Sequence, residues 1–362
     1  MVDDAIMLPA LLLCLTALAM LPAPAVATTM TDRPIIIAHR GASADRPEHT
    51  LAAYRLAIEQ GADFIEPDLV PTRDGHLVAR HENEIGGTTD VADHPAFANR
   101  RTNRTIDGQE ISGWFTEDFT LAELKTLRAR ERLPVLRPSN TAYDGQEQIP
   151  TLEEIIALVQ AEEKRLGRRI GLYPETKHPS YFAGIGLPLE SRLIHILTVN
   201  GYVNKQDPVF IQSFEITNLK LLRKKTSLRL IQLVSGSGGP ADMPGVSYRE
   251  MLTAEGLKKI ATYADGIGAE KPLIIPRGAD GELGQPTDLV ASARAAGLAV
   301  HAWTFRPENF FLPPSLQTGV SPTDHGRAED EIRIFIETGL DGIFTDSVPA
   351  ATRAMGRKPH PP

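Results

Sequence analysis

The sequence predicts an α/β fold, a TIM-like (β/α)8 barrel with an inserted segment near its C-terminal mouth. Short apolar, β-branched runs recur along the chain, about eight of them, the number a closed parallel barrel requires. Most are separated by stretches of helical period, the pattern of βα units around a parallel sheet. The length, 362 residues, also accommodates two domains, but barrels of this kind commonly reach it as one.

Residues 1–27 read as an export signal. No charged residue lies between Asp4 and Asp32, Ala5 to Met20 is mostly Leu and Ala, and Ala25-Val26-Ala27 offers the small residues that signal peptidase needs. Cleavage after Ala27 starts the mature, periplasmic or secreted chain at Thr28. The uncharged run is also long enough for an uncleaved anchor, and Met-Val-Asp-Asp lacks the positive start that signals usually carry. The single cysteine, Cys14, falls in this segment without the small residues of a lipoprotein box. The mature chain is therefore expected to hold no thiol, disulfide or cysteine-ligated metal.

Residues 28–362 carry the barrel. Its strands are expected at 35–38, 64–70, 170–174, 209–213, 228–234, 266–269, 298–304 and 342–345. Helices are expected at 50–60, 151–167, 187–201, 215–225, 248–263, 288–297 and 329–339. The first of these stops just before Gly61, and Thr151-Leu152-Glu153-Glu154 reads as a capping box for the second. A further strand, 77–81, follows the second run after Thr72-Arg73-Asp74-Gly75, a turn too short to contain a helix. It must return antiparallel, and symmetry about Arg73 and Asp74 places His81 opposite Glu66. The weakly periodic stretch of about 85–149 is the insertion, since a plain loop of that length is uncommon.

A composition of 42% hydrophobic and 23% charged residues is that of an ordinary globular chain and excludes a disordered tail or a polytopic membrane protein. The net charge of −8 leaves no global positive field for nucleic acid or an anionic membrane. Walker, G-x-G-x-x-G, G-x-S-x-G and H-E-x-x-H patterns are absent.

Catalytic groups of such barrels come from the carboxyl ends of strands. The first strand ends in Ala38-His39-Arg40-Gly41, which puts an imidazole and a guanidinium at the rim. Glu66 and Asp68, two apart, share one face of the second strand. If that face is the interior, a bound divalent cation, Ca²⁺ or Mg²⁺, resolves the cost of two buried acids; the alternative is a strand whose acids face solvent or pair with arginine. Glu175 and Lys177 repeat the spacing on the third strand and add a carboxylate and a positive charge. Two histidines, a cation site, Arg40 and Lys177 together suit an anionic phosphoester, one histidine removing a proton and the other protonating the leaving alcohol.

These residues resemble the glycerophosphodiester phosphodiesterase family, in particular its exported bacterial branch. The resemblance rests on Ile37 to Ala42, Arg46-Pro47-Glu48-His49-Thr50, Gly61 to Val70 with Glu-Pro-Asp, Asp74-Gly75 and the Leu77 to His81 run, Tyr173 to Lys177, Phe210 to Phe214, Tyr263 to Gly268 and Gly342 to Asp346. It implies a TIM-like barrel that hydrolyses glycerophosphodiesters such as glycerophosphocholine and glycerophosphoethanolamine to sn-glycerol 3-phosphate and an alcohol. It further implies one divalent cation, Ca²⁺ in preference to Mg²⁺, held by Glu66, Asp68 and Glu175, with His39 and His81 as the acid/base pair. Arg40 and Lys177 resemble the family's phosphate contacts, Phe214 and Trp303 its apolar wall, and Glu48 and Gln212 residues that orient the site. Small-molecule substrates are the expected partners, with no nucleic acid and no stable membrane association after cleavage.

Pro67 departs from the family pattern; lacking an amide hydrogen, it is expected to interrupt strand pairing. Within the insertion, Arg100, Arg101 and Arg104 are read as a solvated basic loop or as head-group contacts, and Trp114, Phe115 and Phe119 as a small anchoring core. Two rival functions share the motifs: a phospholipase D-like enzyme on lysolipids or sphingolipids, and a non-catalytic glycerophosphodiester-binding surface protein.

Overall fold

In the computed structural model the first apolar run, Ile35–His39, pairs in parallel with Phe64–Glu66 on one side and with Gly342–Thr345, the last strand, on the other. The sheet therefore closes on itself. Between these neighbours the order runs through Gly171–Leu172, Phe210–Ser213, Arg229–Val234, Gly266–Glu270 and Ala299–Phe305, each parallel to the last. The structure describes residues 1–2 and 33–357; apart from its first two residues, the expected export signal and its cleavage site lie outside them. Among the described residues no helix is long and apolar enough to cross a membrane.

Two staves are interrupted, both at proline. Pro67 separates Phe64–Glu66 from Asp68–Pro71, and Pro174 follows Gly171–Leu172 ahead of Glu175–Thr176. The ladder between them nevertheless continues: the amides of Gly171, Tyr173, Glu175 and Lys177 donate in turn to the carbonyls of Asp63, Ile65, Pro67 and Leu69 at 2.8–3.1 Å. Pro67 withdraws one donor without shifting the register, so Glu175 lands beside Asp68.

The antiparallel return is Leu77–Ala79, with Leu69 opposite Ala79 and Pro71 opposite Leu77. This corrects the expected register by one residue. The turn runs from Thr72 to His76, closed by the Thr72 amide on the His76 carbonyl at 2.8 Å, with Gly75 left-handed at φ +80°. It is centred on Asp74 rather than between Arg73 and Asp74, so His81 falls opposite Pro67, and the Arg80 amide bonds the Asp68 carbonyl at 3.0 Å.

The capping box is present: Thr151 accepts from the Glu154 amide and the Glu154 carboxylate from the Thr151 amide, opening the helix Leu152–Leu166. The helix expected over 248–263 is two, Tyr248–Met251 and Ala254–Ile260, because Thr253 starts a new cap on the Gly256 amide. The insertion folds as a hairpin, Thr102–Ile106 with Gln109–Gly113, and a short helix, Leu121–Leu124. Phe115 and Phe119 are buried beneath it. Of the three arginines singled out in its first half, Arg100 bonds Glu123 at 2.6 Å, Arg104 pairs with Asp118, and Arg101 lies over the Trp114 ring.

Inside the barrel, Ile37, Phe64, Tyr173, Phe210, Ile231 and Phe344 fill the space below the mouth. Their bulk is matched by small residues across from them. A Cβ on Gly171 would lie 2.0 Å from the Phe64 ring. Gly171→Ala is thus expected to destabilise the protein by about 1–3 kcal/mol, with Phe64→Leu restoring part of the loss; urea midpoints of the two variants and the double variant check it.

His301, also in this interior, shares a 2.7 Å hydrogen bond with the Tyr173 hydroxyl. Burial lowers its pKa from 6.5 to about 4. The unfolded chain binds this proton below about 6.5 and the folded chain only near 4, so stability falls as pH drops through that window. His301→Gln is expected to flatten the dependence of the urea midpoint between pH 6.5 and 4; an unchanged slope rules out this residue as its source.

Candidate active site

At the end of the first strand the chain turns sharply: Arg40 and Gly41 both take positive φ, 59° and 88°, and a Cβ on Gly41 would meet the Ala53 backbone at 2.7 Å. The turn aims the Arg40 amide at Glu66, donating to Oε2 at 2.8 Å. The Arg40 guanidinium donates to Glu48 at 3.0 Å, and its Nε lies 3.4 Å from Asp68 Oδ2 without a hydrogen bond. Glu48 thus stands behind Arg40, fixing it rather than facing the cleft.

Glu66, Asp68 and Glu175 each point a carboxylate oxygen into one spot, all within 4.8 Å of one another and all buried. Lys177 Nζ is ion-paired with Glu175 Oε1 at 2.8 Å, and the Gln212 amide donates to Glu66 at 3.0 Å. With His39, Arg40, His81, Phe214 and Trp303 they line a single cleft. Phe214 and Trp303 meet edge to face, centroids 6.0 Å apart, as its apolar wall. The structure brings together the residues expected to form the site, with Glu48 one layer back, and leaves Arg100, Arg101 and Arg104 outside it.

Burial pushes the Glu66 carboxyl well above its ordinary range, helped by the charges of Asp68 and Glu175, and it raises Glu175 to about 8 despite Lys177. Asp68 goes the other way: Lys177 and His49, whose Nε2 is 2.9 Å from Asp68 Oδ2, outweigh burial and hold it low. Three clustered carboxylates do not all ionise without a further positive charge. Asp68 Oδ1 and Gln212 Oε1 are buried with no hydrogen-bond partner, and an all-oxygen donor set fits a hard divalent cation. The residues present fit such an ion.

Burial also keeps both histidines neutral. His39 is lowered to about 4, aided by Arg40 and opposed by Asp346; His81 is lowered to about 3, aided by Arg40 and Lys177 and opposed by Glu82. Each ring is held at Nδ1 by a carboxylate, His39 by Asp346 at 2.6 Å and His81 by Glu82. Carboxylates at Nδ1 favour the tautomer with Nε2 free to accept a proton.

Asp346, Glu82, His49, Arg132, Arg137, Arg306 and Glu308 form the hydrogen-bonded surround of this cleft, and sequence reasoning gave none of them a role. Asp346 had a usable signal, since it lies two residues beyond Phe344 and so on the inward face. The arginines had none, because they lie in irregular segments.

The sequence profile of the glycerophosphoryl diester phosphodiesterase family matches residues 39–350. Glycerophosphodiester phosphodiesterase GDPD6 of Arabidopsis thaliana is 36% identical over 329 residues, covering 87% of this chain and 84% of its own. A glycerophosphodiester phosphodiesterase of Haemophilus influenzae is 29% identical over 346 residues, covering 88% and 89%. An Oleispira antarctica phosphodiesterase, solved in complex with the product sn-glycerol-3-phosphate, matches in fold with a TM-score of 0.59 at 22% identity, over 90% of this chain and 97% of that one. With the profile match running from the first catalytic strand end to beyond the last, this chain belongs to the glycerophosphoryl diester phosphodiesterase family.

Proposed function

We propose that the protein is a cation-dependent hydrolase of glycerophosphodiesters, releasing sn-glycerol 3-phosphate and an alcohol. The observation that carries this reading is one cleft holding two neutral, carboxylate-supported histidines beside a buried carboxylate triad and two basic side chains. Arg40 and Lys177 meet the non-bridging phosphate oxygens. A divalent cation on Glu66, Asp68 and Glu175 would add positive charge where the transition state grows negative. One histidine accepts the nucleophile's proton at Nε2, and the imidazolium so formed is stabilised by the carboxylate at its Nδ1. The other, which takes up a proton at Nε2 once the negative charge of the phosphodiester lies beside it, delivers that proton to the departing alkoxide. Phe214 and Trp303 face the carbon skeleton. An acid/base pair favours catalysis over silent binding, since binding alone needs neither.

Phosphorus NMR of glycerophosphocholine, glycerophosphoethanolamine and a lysophospholipid tests the reading. Glycerol 3-phosphate is expected to form from the first two, to stop with chelator, and to resume better with Ca²⁺ than with Mg²⁺. His39→Ala and His81→Ala are each expected to lower kcat by about 10²-fold or more. Turnover of the lysolipid alone transfers the protein to the phospholipase D-like class, and saturable binding without turnover removes catalysis altogether.

We also place the protein in the exported bacterial branch of the family, on the strength of the uncharged run before Asp32 and Ala25-Val26-Ala27. Amino-terminal sequencing of protein from the periplasm or medium is expected to start at Thr28; a membrane-bound chain starting at Met1 favours the anchor instead.

A further inference from the structure

Two arginines of the insertion, five positions apart, each reach toward a different histidine. Arg137 donates from Nη2 to Asp346 Oδ2 at 2.6 Å, from Nε to Glu308 Oε1 at 2.5 Å and from Nη1 to the Ser43 carbonyl at 2.7 Å. Arg306 donates to the same Asp346 Oδ2 at 3.0 Å, leaving Oδ1 to His39. On the other side Arg132 straddles two acids, with Nε and Nη2 on Glu48 at 2.7 Å and with Nη1 and Nη2 on Glu82 at 3.0 and 2.6 Å. Glu82 in turn holds His81.

The peptide carrying both forks is itself fixed. The Glu131 amide donates to Asp144 at 2.7 Å, and the Glu131 carboxylate accepts from the Leu133 amide and from Asn140. The Arg137 amide donates to the Leu133 carbonyl at 2.7 Å, closing the turn between the two arginines. Arg137 is 5% exposed and Glu308 is fully buried, so bulk solvent does not reach this end to replace a lost contact.

We propose that Arg132 and Arg137 are positioning residues of the reaction, and that the insertion's role is to orient both histidines through the relays Arg137–Asp346–His39 and Arg132–Glu82–His81. This rests on the acid/base reading of His39 and His81. A carboxylate that is free to turn lets its imidazole sample several orientations; one gripped on its far oxygen presents a single one, and displacement by about 1 Å is enough to cost about 10²-fold in rate. The relays thus act on the chemical step, and substrate binding is left to Arg40 and Lys177.

The test is steady-state kinetics at saturating cation on Arg132→Met, Glu82→Ala and Arg137→Lys, with melting curves to confirm folding. Because loss of Arg137 leaves Glu308 buried and unpaired, Arg137→Met is paired with Glu308→Gln. Glu82→Ala separates the histidine relay from the Glu48 contact that Arg132 also makes. Glu82→Ala, Arg137→Lys and the Arg137→Met/Glu308→Gln pair are each expected to lose about 10–100-fold in kcat with KM held within about threefold, whereas Arg132→Met, which also releases the Glu48 that braces Arg40, is expected to lose as much in kcat and to raise KM beyond that. The decisive measurement is a set of double-mutant cycles. Arg137→Lys should cost nothing further in a His39→Ala background yet its full amount in His81→Ala, and Glu82→Ala the reverse. Folded variants with parental kcat, or equal costs in both histidine backgrounds, overturn the proposal while leaving the catalytic assignment standing. Parental rates in His39→Ala or His81→Ala would instead remove the acid/base reading itself.

Discussion

Mutual repulsion among Glu66, Asp68 and Glu175 is the constraint around which the mouth of the barrel is arranged. Their oxygens converge within 4.8 Å in a place that water scarcely reaches, and in such surroundings like charges interact far more strongly than in solvent. Each neighbouring strand end brings something that offsets this. The first supplies the Arg40 amide to Glu66, the third supplies Lys177 to Glu175, and the fourth supplies the Gln212 amide, again to Glu66. His49, from the turn after the first strand, meets Asp68. What remains unanswered is Asp68 Oδ1 and Gln212 Oε1, two oxygens with nothing to accept from, and this residual demand is for a cation.

Outward from the triad, charge alternates in sign. Asp68 faces the Arg40 guanidinium, Arg40 faces Glu48, Glu48 faces Arg132, and Arg132 faces Glu82, whose other partner is the neutral His81. A second series starts from His39 and passes through Asp346 and Arg137 to Glu308. Alternation is the arrangement in which desolvated charges are least costly, because each is flanked by its opposite. It also explains how a chain of net charge −8 receives an anion: the field that matters is local, and the positive groups are held in the cleft by acids placed behind them.

Strand periodicity made the inner part of this arrangement legible. Glu66 with Asp68, and Glu175 with Lys177, share faces by the rule of two, and His39 and Arg40 follow an apolar run where a barrel presents catalytic groups. The limits of legibility have particular causes. The register of His81 depended on how a four- or five-residue turn closes, and the left-handed Gly75 moved it by one. The 248–263 helix broke because a single Thr competed for the next amide. Arg132 and Arg137 were invisible because their partners lie up to 209 residues away and their own segment has no period that marks an inward face. Asp346 was legible as the inward residue that ends the Gly342 to Asp346 stretch, and it was given no role.

Both interrupted staves break beside an acid, at Pro67 between Glu66 and Asp68 and at Pro174 before Glu175. A proline in a central strand ordinarily weakens it, because one ladder donor is lost. Here the neighbouring amides keep the register, from Gly171 to Lys177, so the loss is confined to the proline itself. In exchange, φ is fixed next to each of the converging acids, at Pro67 between Glu66 and Asp68 and at Pro174 before Glu175. Fixing φ also narrows the conformations open to the unfolded chain, lowering the entropy lost when those residues are placed. The interruption that looks like a defect in the second strand is thus consistent with its task, which is to carry two acids to one point and hold them there.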